Sequence, residues 1–213
     1  RRVSAPLTRW GVIPDSSAGE ALSGTRCGTL AGLLARAAVD PLDPVTLLAI
    51  VKHPNTRLGV EPETLAAQAE ALERYGLRGP RVHAWDNLET RLRGAKGPPE
   101  ALEAAVALAG ALRGVLNWLT APYGEADEAP PAAAARALAE AMEALAADAA
   151  GSPGDLWSGP GGEAMSRLLA DLMIEGSALP PASGRGFADL LFKLMTGEAV
   201  RGEAASHPRL RIL

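Results

Sequence analysis

The sequence predicts a mainly α-helical protein, on three observations. Alanine, the strongest helix former, is abundant throughout. Several segments repeat apolar residues with the 3.6-residue period of a half-buried helix. Proline and glycine fall between those segments, where helices start and stop, instead of within them.

The elements follow in chain order. Leu7 to Pro14 reads as a short extended segment, because Trp10, Val12 and Ile13 favour strand and Gly11 and Pro14 punctuate it. A polar loop, Asp15 to Glu20, comes next. Leu30, Leu33, Leu34 and Ala37 fall at i, i+3, i+4 and i+7 and predict one buried helix face. Asp43-Pro44 is a cap followed by proline at the first helical position. The helix it starts runs through Leu47, Leu48 and Val51 and must stop near His53, ahead of Pro54. A third helix is expected from Pro62 to Tyr75, with Leu65, Ala69 and Leu72 inward and Gly76 as its stop.

Residues 76–98 have weak periodicity and many Gly, Pro and Arg, with room for a short helical turn from Asn87 to Leu92. A long helix is expected from Pro98-Pro99 to Leu119, lined by Leu102, Val106, Ala109, Leu112, Leu116 and Leu119. An acidic loop, Thr120 to Pro131, leads to an alanine-rich helix over 131–149. Its large apolar contacts are only Leu138, Met142 and Leu145, so it should pack closely or sit at an edge. After a turn-rich connector, Gly151 to Gly162, two amphipathic helices are expected. One carries Met165, Leu168, Leu169, Leu172 and Met173; the other carries Phe187, Leu190, Leu191, Leu194 and Met195.

With 213 residues, 47% of them apolar, the chain is long enough to bury a core and too apolar for a disordered tail. Cys27 is the only cysteine, which excludes an intrachain disulfide and fits a reducing compartment. Arg1-Arg2 is a twin-arginine pair with no apolar h-region behind it. The longest uncharged run of helical character, Ala104 to Leu112, is far short of the ~20 residues of a membrane span. The expectation is a cytoplasmic protein without a membrane segment. The absence of an initiator Met, and an end in the strand-like His207 to Leu213, lead to the expectation of an internal fragment.

The net charge of −4 is unevenly spread. Residues 1–98 hold 13 basic and 10 acidic side chains, and residues 99–213 hold 8 and 15. Only the first part is therefore suited to follow a phosphate backbone.

The chain offers little to familiar catalytic chemistries. A phosphate-binding loop needs Gly-Lys-Ser/Thr after a glycine turn, and Lys52, Lys96 and Lys193 all lack those neighbours. Gly159-Pro-Gly-Gly162 precedes a helix and could present amides to an anion. With no lysine or Mg²⁺ ligand beside it, an ordinary helix-opening turn is the better reading. Pro14-Asp15 resembles the start of a nuclease motif, but the residues two before each lysine are Ile50, Gly94 and Leu191, none of them acidic. Cys27, His53, His83 and His207 are too scattered for a standard zinc pattern. Cys27 reads as structural, and His53 and His207, each before a proline, read as capping or packing residues. No catalytic residue, cofactor or metal ligand is expected.

The most suggestive feature is basic. Arg74, Arg78, Arg81, Arg91, Arg93 and Lys96 face only Asp86 and Glu89 between residues 74 and 96, with Tyr75 and Trp85 nearby. Arginines for phosphates and aromatics for base stacking make a single-strand contact surface. Arg78, Arg81, Arg91, Arg93 and Lys96 are the candidate nucleic-acid contacts. The competing reading, which the sequence alone favours, is a solvated loop face over a buried tryptophan.

Three stretches carry a resemblance. They are Trp10-Gly-Val-Ile-Pro-Asp-Ser-Ser-Ala-Gly-Glu20 with Gly28-Thr-Leu behind it; Pro44-Val-Thr-Leu-Leu-Ala-Ile-Val-Lys-His-Pro-Asn-Thr-Arg-Leu-Gly59; and Trp157-Ser-Gly-Pro-Gly-Gly-Glu163 with its helix, ending in His207-Pro-Arg-Leu-Arg-Ile-Leu213. In this order and spacing they resemble the middle of the AddB family in its alphaproteobacterial form, the B subunits of AddAB-type helicase–nucleases that repair double-strand breaks. The likeness spans essentially the whole chain. It implies a helical, bundle-like domain similar to the 2B insertion of UvrD/Rep-type helicases, with short terminal strands from the 2A-like core. Residues 1–58 would be a 2A-like edge segment, 59–200 the helical insertion, and 201–213 a terminal strand segment. It further implies an AddA-type partner subunit and DNA, with the family's ATP-binding loop upstream and its nuclease centre downstream. No family catalytic residue has a matching position here. Two alternatives stand beside it: a free-standing all-α protein–protein interaction module without DNA binding, and, last, a small-molecule enzyme using Cys27.

Overall fold

The computed structural model describes residues 15–16, 19–201 and 211–212. Eight α-helices dominate them, as expected from the sequence. The extended segment expected over Leu7 to Pro14 lies outside the described residues.

Helix α1 spans Arg26–Val39. Thr25 caps it: its Oγ1 accepts from the Gly28 amide at 3.1 Å and donates to the Leu22 carbonyl at 2.8 Å. A Cβ on Gly28 would fall 1.9 Å from that carbonyl, so only glycine lets the chain fold back this tightly. Leu30, Leu34 and Ala37 are buried as expected, while Leu33 is half-buried at the rim. Helix α2 spans Pro44–Val51 and opens on the expected cap, with Asp43 Oδ2 accepting from the Thr46 amide at 2.9 Å and hydroxyl at 2.6 Å. Beyond it, the Arg57 and Leu58 amides both donate to the Leu145 carbonyl, at 2.7 and 3.0 Å, and Gly59 donates to Ala147 at 2.8 Å. The loop after α2 is thereby tied to a helix nearly ninety residues away.

The third helix departs from expectation. Helix α3 is Pro62–Ala71, and the chain then widens into a π-helical turn, Leu72–Leu77. Gly76 is not a left-handed stop; it lies inside that turn, buried. A Cβ there would meet methyls of Leu88, Leu72 and Leu92 at 3.0–3.1 Å, so the missing side chain is what lets the next helix close on the turn. That next helix, α4, is Trp85–Gly94, longer than the turn expected there, with Leu88 and Leu92 fully buried.

Helix α5 spans Pro99–Thr120 and runs on as a 3₁₀ turn to Tyr123. Its buried face is wider than the expected stripe: Ala105, Leu108 and Val115 join Ala109, Leu112, Leu116 and Leu119, and Leu102 and Val106 are only half-buried. Together these 25 residues are long and apolar enough to cross a membrane. The expectation from the uncharged run Ala104–Leu112 alone missed this, because isolated charges such as Glu103 and Arg113 do not cancel the average. The apolar face of α5 packs on α3, α4 and the following helix, as a core helix does.

That following helix, α6, is Pro131–Ala146 and ends three residues before the expected limit. It takes the close-packing alternative instead of an edge position: it meets α1, α5 and the next helix, and Ala135, Ala141, Leu138, Met142 and Leu145 have no exposure. Alanines let the neighbouring backbones approach. Helix α7 spans Gly159–Glu175 and α8 spans Gly184–Gly197. Met165, Leu169, Leu172, Phe187, Leu191 and Met195 are buried as expected; Leu168, Met173 and Leu190 are half-buried and Leu194 is exposed. A Cβ on Gly162 would lie 2.4 Å from the Trp157 carbonyl carbon, which fixes the tight turn opening α7.

The strands are minimal. Strand β1 (Asp15–Ser16) pairs in parallel with β4 (Arg211–Ile212), and β2 (Glu20–Ala21) pairs antiparallel with β3 (Ala199–Val200). The stretch expected as a polar loop thus contains β1 and the start of β2, and the strand expected at the chain's end is seen at Arg211–Ile212. The pairings bring the two ends together. One buried cluster runs from Leu22 to Val200, and α1 packs on α6, α7 and α8.

Candidate nucleic-acid interface

The arginine-rich stretch is built on the π turn, the loop after it and α4. A π turn leaves carbonyls without regular helical partners. Arg91, in the second turn of α4, serves one of them and the loop beyond: its Nη1 donates to the Gly76 carbonyl at 3.0 Å and its Nη2 to the Pro80 carbonyl at 2.6 Å. The planar guanidinium fork suits two carbonyls at once. Arg91 is therefore a strut that holds the loop against α4.

Three other candidates have carboxylate partners. Arg78 Nη2 donates to Glu73 Oε1 at 3.1 Å, and Lys52 Nζ holds the other oxygen of Glu73 at 2.8 Å. These two cations, with their hydrogen bonds, keep the Glu73 carboxyl below the usual range. Arg81 pairs with Asp40 at the end of α1, which raises the arginine's pKa. Arg93 pairs with Glu89 one turn before it, at 2.5 Å. Lys96 is exposed and forms no ion pair among the described residues, and Arg74 forms none either; its guanidinium lies 5.7 Å from the Tyr75 ring centre.

Neither aromatic stands free as a stacking platform. Trp85 is half-buried against the core. Tyr75 is half-buried too, and its ring presses on the backbone at Gly97, where a Cβ would come within 2.8 Å. Arg78, Arg81 and Arg91 gather at the loop after the π turn, whereas Arg93 projects from the other flank of α4, and sequence reasoning missed two of the carboxylates that neutralise them. Glu73 lies one residue outside the stretch first considered. Asp40 is 41 residues from Arg81, a distance that no local pattern bridges.

Of the remaining candidates, Cys27 and His53 are packed inside. Cys27 is buried, and burial pushes its thiol up to about 12, so the nucleophilic thiolate is scarce at neutral pH. His53 is buried beside α1; its Nδ1 accepts from the Asn55 amide at 3.2 Å. Burial lowers its pKa, which keeps the ring neutral. His83 is exposed, and His207 lies outside the described residues. Gly159–Gly162 forms the first turn of α7, beside a cleft of about 530 Å³ that also touches Arg26, Glu20 and Asp155. Among the described residues, no three His, Cys, Asp or Glu side chains are grouped to hold a metal ion.

No protein-family model, curated protein or solved structure matches the chain.

Proposed function

We propose that this chain is a non-catalytic helical region of a DNA double-strand-break repair helicase–nuclease subunit of AddB type. It contributes to DNA-end processing for homologous recombination, beside an AddA-type partner subunit. Residues 59–200 act as the 2B-like insertion, and the short paired strands near both ends are its root in the 2A-like core. The reading rests on one observation: the order and spacing of the three motif stretches, Trp10–Glu20 with Gly28-Thr-Leu, Pro44–Gly59, and Trp157–Glu163 with the end at Leu213. The mainly helical architecture is compatible with it, and the arginine-rich stretch from Arg74 to Lys96 is the place proposed for single-stranded DNA. In this reading the chain carries neither ATPase nor nuclease residues of its own.

The test is binding of fluorescein-labelled single-stranded and forked DNA by the 213-residue chain, followed by anisotropy across a salt series. Affinity should fall with salt and should drop when Arg74, Arg78, Arg93 and Lys96 are all changed to alanine. Arg91 is left in place because it holds the loop. Mg²⁺-dependent DNA cleavage by the pure chain would contradict the proposal.

A second reading, a free-standing all-α protein–protein interaction module, is favoured by a different surface. Ile174, Leu179, Phe192 and Leu194 are exposed on α7, α8 and the turn between them, at 69%, 44%, 57% and 39%. Leu179 and Leu194 line a groove of about 740 Å³. Phe192 lines a separate hollow beside α1, and exposed apolar side chains such as the Leu179 and Leu194 pair mark contact surfaces. DNA affinity indistinguishable from zero at low salt would favour this reading.

A further inference from the structure

The arginines between residues 74 and 96 are paired with the chain's own acids at the loop and on the outer flank of α4, and this has a consequence for any anion that approaches them. We infer that Glu73, Asp40 and Glu89 act as an intramolecular mask, occupying the guanidinium groups of Arg78, Arg81 and Arg93 until a polyanion displaces them. The inference rests on the DNA reading above and adds how that surface is regulated.

The geometry is specific. Each of the three arginines has one carboxylate partner, and the three carboxylates come from three places: Glu73 from the π turn, Asp40 from the end of α1, and Glu89 from α4. All three pairs are solvent-accessible, with side-chain exposures from 28% to 70%, so exchange of a carboxylate for a phosphate needs no unfolding. Pairs of this kind are weak in water, which makes them displaceable. Lys52 helps hold Glu73 in place, and Arg74 and Lys96, with no ion pair among the described residues, are left to make first contact with the anion.

The mask leaves a signature in salt dependence. A free arginine that binds a phosphate releases a condensed counterion, and log K falls with log salt by about 0.7 per contact on a single strand. A masked arginine must first give up its carboxylate, an opening that salt itself eases by screening the exposed pair. That easing offsets part of the counterion release, so masked contacts add less to the slope than free ones.

The experiment compares two triple variants with the wild-type chain, using fluorescein-labelled oligothymidine in a salt series. One removes the mask: Glu73→Gln, Asp40→Asn and Glu89→Gln. The other makes the same charge change elsewhere: Glu125→Gln, Glu128→Gln and Glu140→Gln, all exposed and in no ion pair among the described residues. Circular dichroism confirms that each folds. Unmasking should tighten binding about tenfold at low salt and steepen the salt slope. The remote triple should tighten binding less and leave the slope unchanged. Binding only by the unmasked variant would also support the mask. If both triples behave alike, the mask is overturned while the DNA reading stands. If none of the three proteins binds, the DNA reading falls and the mask with it.

Discussion

The edge formed by α3, the π turn and α4 and the face formed by α7 and α8 invert what their compositions imply. The first is rich in arginine, yet its cations are largely occupied from within: Arg91 by two carbonyls, and Arg78, Arg81 and Arg93 by carboxylates. The second lies in the acidic part of the chain, yet it leaves Ile174, Phe192 and Leu194 in water. Composition counts groups, whereas a surface is defined by the groups left without partners. A charged stretch can be self-satisfied and an amphipathic one can keep apolar side chains outward.

The comparison is broken most strongly at the core that both regions share. Leu138→Ala removes a side chain with no exposure from the middle of α6 and should cost about 2–5 kcal/mol, read from urea unfolding. A loss far below that would mean that α6, which meets α7 directly and the arginine-rich region only through α5, is not a packed core helix. Next in size is Arg91→Ala, expected to cost about 1–2 kcal/mol by stranding the carbonyls of Gly76 and Pro80. Arg91→Lys should recover little, since an ammonium cannot span both acceptors; full recovery would show that charge, not the fork, matters.

Asp43→Ala should cost about 1 kcal/mol at neutral pH by uncapping α2. The Thr46 hydroxyl and amide hold the Asp43 carboxyl below its ordinary value in the fold. Its contribution is therefore complete above the unfolded carboxyl pKa, near 4, and disappears as pH falls through the lower folded value. The wild-type and variant unfolding curves should converge in acid, and a gap that persists there would exclude the cap as its source. The smallest effect belongs to Arg78→Ala with Arg93→Ala. With side chains 70% and 69% exposed, the pair should move the melting temperature by under about 2 °C. Together they should still weaken DNA binding, which separates a functional edge from a structural one.

The sequence by itself determined most of the helices, since their signals are local. Asp43-Pro44, the stripes at Leu30–Ala37 and Phe187–Met195, and the proline before α5 act within one or two turns, over which periodicity and capping can be read directly. Only the tertiary structure decided the role of Gly76. A glycine can end a helix or admit a neighbour, and α4 arriving against the π turn chose the second. The same holds for the candidate contacts. Arg91 reads as a surface cation until the loop folds back over it, and Arg81 reads as free until α1 brings Asp40 alongside. Ion pairs and carbonyl acceptors are chosen by distance in space, and no spacing along the chain encodes a partner 41 residues away.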